Sequence, residues 1–243
     1  MLGIVRVGPP LPVAAPLLKG GAAVYGAPMD QALLYVPDWP TIVAFVSATV
    51  LLAITPGPDM TLFLGRTLAQ GRAAGLAVIA GTTTGCLMHT MLAALGVSAL
   101  VKASPTGFLV LKIVGAGYLA WLAVQALRHG TTFELNVRQQ RRSFWADYAR
   151  GWAVNALNPK IAIFFVTFLP HFVSRADPHV AGKLVFLGVL FALVALPIMV
   201  PMVFGAERLT DFLRRSPKVL RGVDYVFAGV FGAFAASILA TQR

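Results

Sequence analysis

The sequence predicts an all-α integral membrane protein with six transmembrane helices, arranged as two inverted three-helix repeats. Three observations carry this. Of the 243 residues, 58% are apolar and only 12% charged, about half the charge that covers a soluble domain of this length. Six apolar stretches reach the ~20 residues that a bilayer requires. The first and fourth of them are each interrupted by proline at matching depth.

The elements follow in chain order. Residues 1–38 hold six of the sixteen prolines and no apolar run long enough to span, so they read as a Pro-rich, disordered extension. Pro16, Lys19 and Gly20–Gly21 spoil a signal-peptide pattern. Met29 is the expected true start, which would leave residues 1–28 out of the natural product. Residues 39–243 form the six-span domain, with spans near 41–65, 72–100, 106–128, 144–171, 182–205 and 219–240. Trp39, Trp145, Tyr148 and Tyr225 fall near span ends, where amphipathic rings favour the interface. Gly75, Gly81, Gly85, Gly115, Gly117, Gly229 and Gly232 lie within spans and are expected to let helices approach closely.

The net charge of +11 would suggest nucleic acid on a soluble protein. Here it is distributed as topology. Twelve of the twenty Lys and Arg residues lie in the connections after the first, third and fifth spans, and seven lie on the other side. This bias places the three basic connections in the cytoplasm and both termini outside. The remaining cation is Lys160, inside the fourth span.

The two interruptions carry the chemistry. The first reads Thr55-Pro56-Gly57-Pro58-Asp59 and the second Asn155-Ala156-Leu157-Asn158-Pro159-Lys160. Proline lacks an amide donor and clashes with the carbonyl four residues back, so each span should break there. Broken backbone at membrane depth survives only against protein or a water-filled cavity. Gly57-Pro58-Asp59 and Asn158-Pro159-Lys160 each read as a helix cap, a proline at the first helical position and a charge. Lys112-Ile-Val-Gly-Ala-Gly117 and Asp224-Tyr-Val-Phe-Ala-Gly229 form a weaker echo. Matched breaks in two inverted halves are the sequence pointer to a transporter site.

Each restarted half-helix aims unpaired amides and a positive dipole end at its break, which suits a carboxylate. The carbonyls of Leu52 and Ile54, freed by Pro56 and Pro58, suit an ammonium. Asp59 and Lys160 add one fixed charge of each sign, so a small zwitterion such as an amino acid complements the site. The candidate substrate-binding residues are therefore Thr55, Pro56, Gly57, Pro58, Asp59, Asn155, Asn158, Pro159 and Lys160. Asp59 and Lys160 are expected to face one cavity and pair when it is empty, while Asn155 and Asn158 either orient a carboxylate or cap the broken helix. The candidates for proton coupling are Asp59 and His89, since an imidazole changes charge near neutral pH; a hydrogen-bonded structural role is the simpler reading of His89. The hydroxyls of Thr55, Thr82, Thr83 and Thr84 face either the break or their own helix carbonyls.

The same residues resemble the LysE-type amino-acid exporter (translocator) family. The resemblance rests on Thr55-Pro-Gly-Pro-Asp-Met60, Arg66, Gly71-Arg72-Ala-Ala-Gly75, Lys112 with Gly115-Ala-Gly-Tyr-Leu119, Asn155-Ala-Leu-Asn-Pro-Lys160, Phe164-Phe165 and Leu169-Pro170. It implies a small exporter of amino acids in the bacterial inner membrane, driven by the proton-motive force. Relatives often carry Asn where this chain has Asp59, which adds a protonatable group. The expected activity is secondary active export of an amino acid or amino-acid-like metabolite by alternating access. The alternatives are export of a cation or another metabolite on the same fold, or a membrane-embedded enzyme. The enzyme reading is disfavoured because no phosphate loop, metal-ligand cluster or serine elbow occurs, so no cofactor or metal is expected. The expected partners are the substrate and the lipid bilayer, with a homodimer as the assembly considered and nucleic acid excluded.

Overall fold

The computed structural model describes residues 34–129, 142–174 and 177–240, all of them helix or connection with no strand among the described residues. The expected disorder of the N-terminal extension lies outside them, apart from its last few residues. The helical unit starts at Tyr35. Helix α1 (Trp39–Ile54) begins where Asp38 accepts from the Thr41 amide at 3.2 Å. Helix α2 (Pro58–Gln70) restarts after Gly57, bent by 49° from α1. Gly71 then turns the chain with φ +86°, a left-handed conformation that glycine adopts without strain. Helices α3 (Arg72–Ala103) and α4 (Pro105–His129) complete the first half.

The second half opens with α5 (Phe144–Ala156) and a one-turn restart, α6 (Pro159–Ile163). A π turn (Phe164–Phe168) and a 3-10 turn (Leu169–Phe172) continue it. This whole restart is bent by 56° from α5. Helices α7 (Val180–Phe204), α8 (Ala206–Arg215) and α9 (Pro217–Ala240) follow. Four helices are long and apolar enough to cross a membrane, and six spans result if each bent pair is one.

Two expectations are corrected. The segment after the fifth span is not a simple basic connection but helix α8. Its buried residues Ala206, Thr210 and Leu213 repeat at helical spacing, while Arg208, Arg214 and Arg215 stay exposed. A ten-residue stripe is too short to span and too narrow to stand out in apolar runs. Second, only some of the glycines serve close packing. A Cβ on Gly81 would lie 2.0 Å from the Tyr148 carbonyl oxygen, and one on Gly151 2.4 Å from that of Val78, so the backbones of α3 and α5 touch. Gly75 and Gly115 are similarly closed by Thr67 and Thr167, and Gly85 by Asn155. At Gly117, Gly229 and Gly232 a Cβ would meet nothing within 4 Å among the described residues.

The core is aromatic. Phe164, Phe165 and Phe168 in the π turn are fully enclosed, and the rings of Phe164 and Phe168 stack at 4.6 Å. Phe45, Phe191 and Phe231 close around them. Outward, Leu92, Leu95, Val114 and Leu193 are exposed, as lipid-facing residues of a spanning helix must be. Trp39 and Trp145 are 74% and 72% exposed near helix ends, where the interface is expected.

Candidate functional site

The two breaks meet. One cavity is lined by Thr55, Gly57, Pro58 and Asp59 from the first break and by Asn155, Asn158 and Lys160 from the second. Leu52, Phe63, Cys86, Ile161, Phe191 and Met199 supply apolar wall. Seven of the nine candidate residues therefore share one space. Pro56 and Pro159 are not among the lining residues; they shape the breaks instead.

The two asparagines divide the roles that the sequence left open. Asn158 caps the restart, its Oδ1 accepting from the Lys160 amide at 3.1 Å. Asn155 reaches across the cavity, and its Nδ2 donates to Asp59 Oδ2 at 2.8 Å. This bond joins the two broken spans directly. The other oxygen of Asp59, Oδ1, is buried with no hydrogen-bond partner. An unsatisfied buried carboxylate oxygen is costly, and Asp59 is among the residues that line the cavity.

Lys160 does not turn to Asp59. Its Nζ lies 4.9 Å from the centre of the Phe227 ring, a cation–π contact. Asp224, which reads from sequence as a span-end residue, is 1% exposed one turn before Phe227.

His89 sits outside the lining of the cavity but beside it. Its Nε2 is 3.3 Å from the Asn155 carbonyl oxygen, the one that Pro159 deprives of an amide four residues on. Since that oxygen only accepts, Nε2 carries the proton in this bond. The imidazole thus adds a bond to a carbonyl that already accepts from the Asn158 amide at 3.0 Å. The threonines follow the local option: Thr55 bonds back to the Leu51 carbonyl at 2.6 Å, and Thr82 and Thr83 to that of Ile79. Thr84 bonds to the Ala80 carbonyl and accepts from Tyr148.

One charged pair was not legible as such. Arg66 Nε and Nη2 meet Asp147 Oδ1 and Oδ2 at 2.7 and 3.1 Å, a two-pronged ion pair with both side chains at most 5% exposed. Arg66 lies seven residues beyond Asp59, about 10 Å along the helix, and Asp147 lies eight before Asn155. The pair therefore clasps α2 to α5, the same two helices that the Asn155–Asp59 bond joins. Arg66 reads from sequence as a topology charge, and nothing local marks Asp147 as its partner.

The family model of the LysE type translocator matches residues 50–242. The chain belongs to that family. It is 29% identical over 200 residues to a homoserine/homoserine lactone efflux protein of Salmonella typhimurium, covering 82% of this chain and 96% of that one. An uncharacterized membrane protein of Vibrio cholerae is 27% identical over 188 residues, 77% of this chain and 91% of the other. One of Bacillus subtilis is 26% identical over 203 residues, 79% and 96%. No solved structure matches. The LysE family is one of bacterial membrane transporters, so the resemblance drawn from the two broken spans holds, and the apolar helices are those of a membrane protein.

Proposed function

We propose that this LysE-family protein is a secondary active exporter of an amino acid or small amino-acid-like metabolite, driven by the proton-motive force through alternating access. One observation carries the reading: Asp59, whose Oδ1 is buried with no hydrogen-bond partner, lines a cavity built from both breaks. An ammonium or a proton can satisfy that oxygen, and they compete for it. Exchange of one for the other is the simplest coupling the site allows, with His89, on the Asn155 carbonyl beside the cavity, as the second candidate for proton coupling. The homoserine and lactone named for the Salmonella relative are compounds of this kind.

The two bends of 49° and 56°, each starting from a cap, a proline and a charge, support two inverted repeats that rock about the shared cavity. The basic connections support a cytoplasmic face at the ends of the first, third and fifth spans, with both termini outside the inner membrane. Export of a metal cation is less well supported, since the lining offers one carboxylate among amides, hydroxyls and apolar groups.

The test is efflux from cells loaded with dipeptides. With the protein present, one or more amino acids should appear faster outside, and Asp59→Asn should slow that export by about tenfold or more. Equal rates with and without the protein would refute the amino-acid reading. A wild-type rate in the variant would refute the role given to Asp59.

A further inference from the structure

The pair Gly71-Arg72 takes no part in the cavity between the breaks. It lines a second cavity instead, where the turn from α2 into α3 meets the turn from α7 into α8. Gly71 and Arg72 come from the first turn, and Phe204, Gly205, Glu207 and Arg208 from the second. Arg72 and Arg208 are the cations of this lining, and Glu207 is its one carboxylate. Arg214, Arg215 and Lys218, farther along the chain, do not line it.

The Arg72 guanidinium lies 5.1 Å from the centre of the Phe204 ring, which holds it at the end of α7. Among the described residues neither Arg72 nor Arg208 has an ion-pair or hydrogen-bond partner for its side chain. Each presents a fork of N–H donors that matches the oxygens of a phosphate. Helices α3 and α8 both start at this cavity, from Gly71 and Gly205, with no side-chain cap, so their first amides add to the same field. The apolar surface beside the cavity is continuous with it. Val189, Leu193, Pro197 and Pro201 are exposed at intervals of four along α7, and the stripe ends at the exposed Phe204. From Leu193 to Phe204 the helix rises about 16 Å, which is close to the depth of one leaflet, half of a ~30 Å hydrocarbon core.

We propose that this second cavity is a binding site for an anionic phospholipid, its phosphate held by Arg72 and Arg208 and one acyl chain lying along the exposed stripe of α7. A soluble phosphate would meet the guanidiniums and leave the stripe unused. A zwitterionic lipid would cover the stripe but bring its own ammonium toward two cations, which costs what the phosphate gains. An anion that carries an acyl chain uses both surfaces. Glu207 opposes the phosphate and is tolerated there because it lies in the first turn of α8, where the helix dipole favours a negative charge.

The experiment is native mass spectrometry of the full chain in detergent, titrated with dioleoyl phosphatidylglycerol or dioleoyl phosphatidylcholine, with inorganic phosphate as competitor. The wild type should bind the first phosphatidylglycerol about tenfold more tightly than phosphatidylcholine, and excess phosphate should not displace it. Arg72→Gln and Arg208→Gln should each weaken that lipid about fivefold, the effect of one cation near an anionic lipid surface, and Glu207→Gln should strengthen it. Arg214→Gln, whose cation lies outside the cavity, should change it by less than about twofold. Equal binding of the two lipids by the wild type overturns the proposal, and this arm decides even where a variant does not fold. Displacement by phosphate assigns the cavity to a soluble anion and also overturns it. Equal weakening by Arg72→Gln and Arg214→Gln overturns it as well, since it would mean general surface charge and no site. No transport is read, so the outcome is independent of the export reading.

Discussion

Arg66 and Asp147 put two full charges into a helix interface, and the cost of removing one differs from that of removing both. Arg66→Ala leaves the Asp147 carboxylate buried without this cation, at about 3–5 kcal/mol, and Asp147→Ala costs less because Arg66 keeps its bond to Gln70. Replacing both by apolar side chains of similar volume removes the desolvation along with the attraction, and should recover most of that loss. Denaturant unfolding of the single and double variants in detergent checks this; additive losses would show that the two side chains act independently. At this scale the sequence was half legible. Asn158 could be recognised as a cap because its bond spans two residues and needs only local geometry. Asn155 looks the same in sequence, yet it bonds to Asp59, 96 residues away. That partner depends on how closely α5 approaches α3 and α2, which no local pattern encodes.

Helices α3 and α5 approach so closely because Gly81 and Gly151 leave their backbones bare to each other. In lipid, such contact takes the place of hydrophobic association. Gly81→Ala puts a methyl 2.0 Å from a carbonyl oxygen that cannot swing away, so the helices must part. A loss of about 1–3 kcal/mol is expected, the usual range for overpacking. Gly117→Ala meets nothing within 4 Å and should be neutral or slightly stabilising, since alanine is the better helix former. Thermal unfolding in detergent separates the two, and equal melting shifts would count against backbone contact as the cause. The breaks themselves were readable, because proline's missing amide acts wherever it sits. The π turn at Phe164–Phe168 was not. It forms where the rings pack into the aromatic core just after the break, and that packing is non-local. Helix α8 escaped notice for the opposite reason: its buried stripe is real but only three residues long, one of them Thr210.

At the scale of the whole molecule, orientation is open to a direct test. Cys86 is buried and is the chain's single cysteine, so background labelling should be low. Ser104→Cys lies between α3 and α4, and Ser216→Cys between α8 and α9. A membrane-impermeant thiol reagent added to intact cells should label Ser104→Cys and spare Ser216→Cys until the cells are opened. The reverse pattern would invert the topology read from the basic connections. The sequence alone determined the apolar composition of a membrane protein, the position of both breaks and the family, since each depends on composition or on spacing along one chain. Tertiary structure decided which groups meet. It gave Asn155 to Asp59, left Asp59 Oδ1 without a donor, set Lys160 over the Phe227 ring and clasped Arg66 to Asp147. Those choices are made between helices far apart in sequence, where packing distance and desolvation, and not residue order, select the partner.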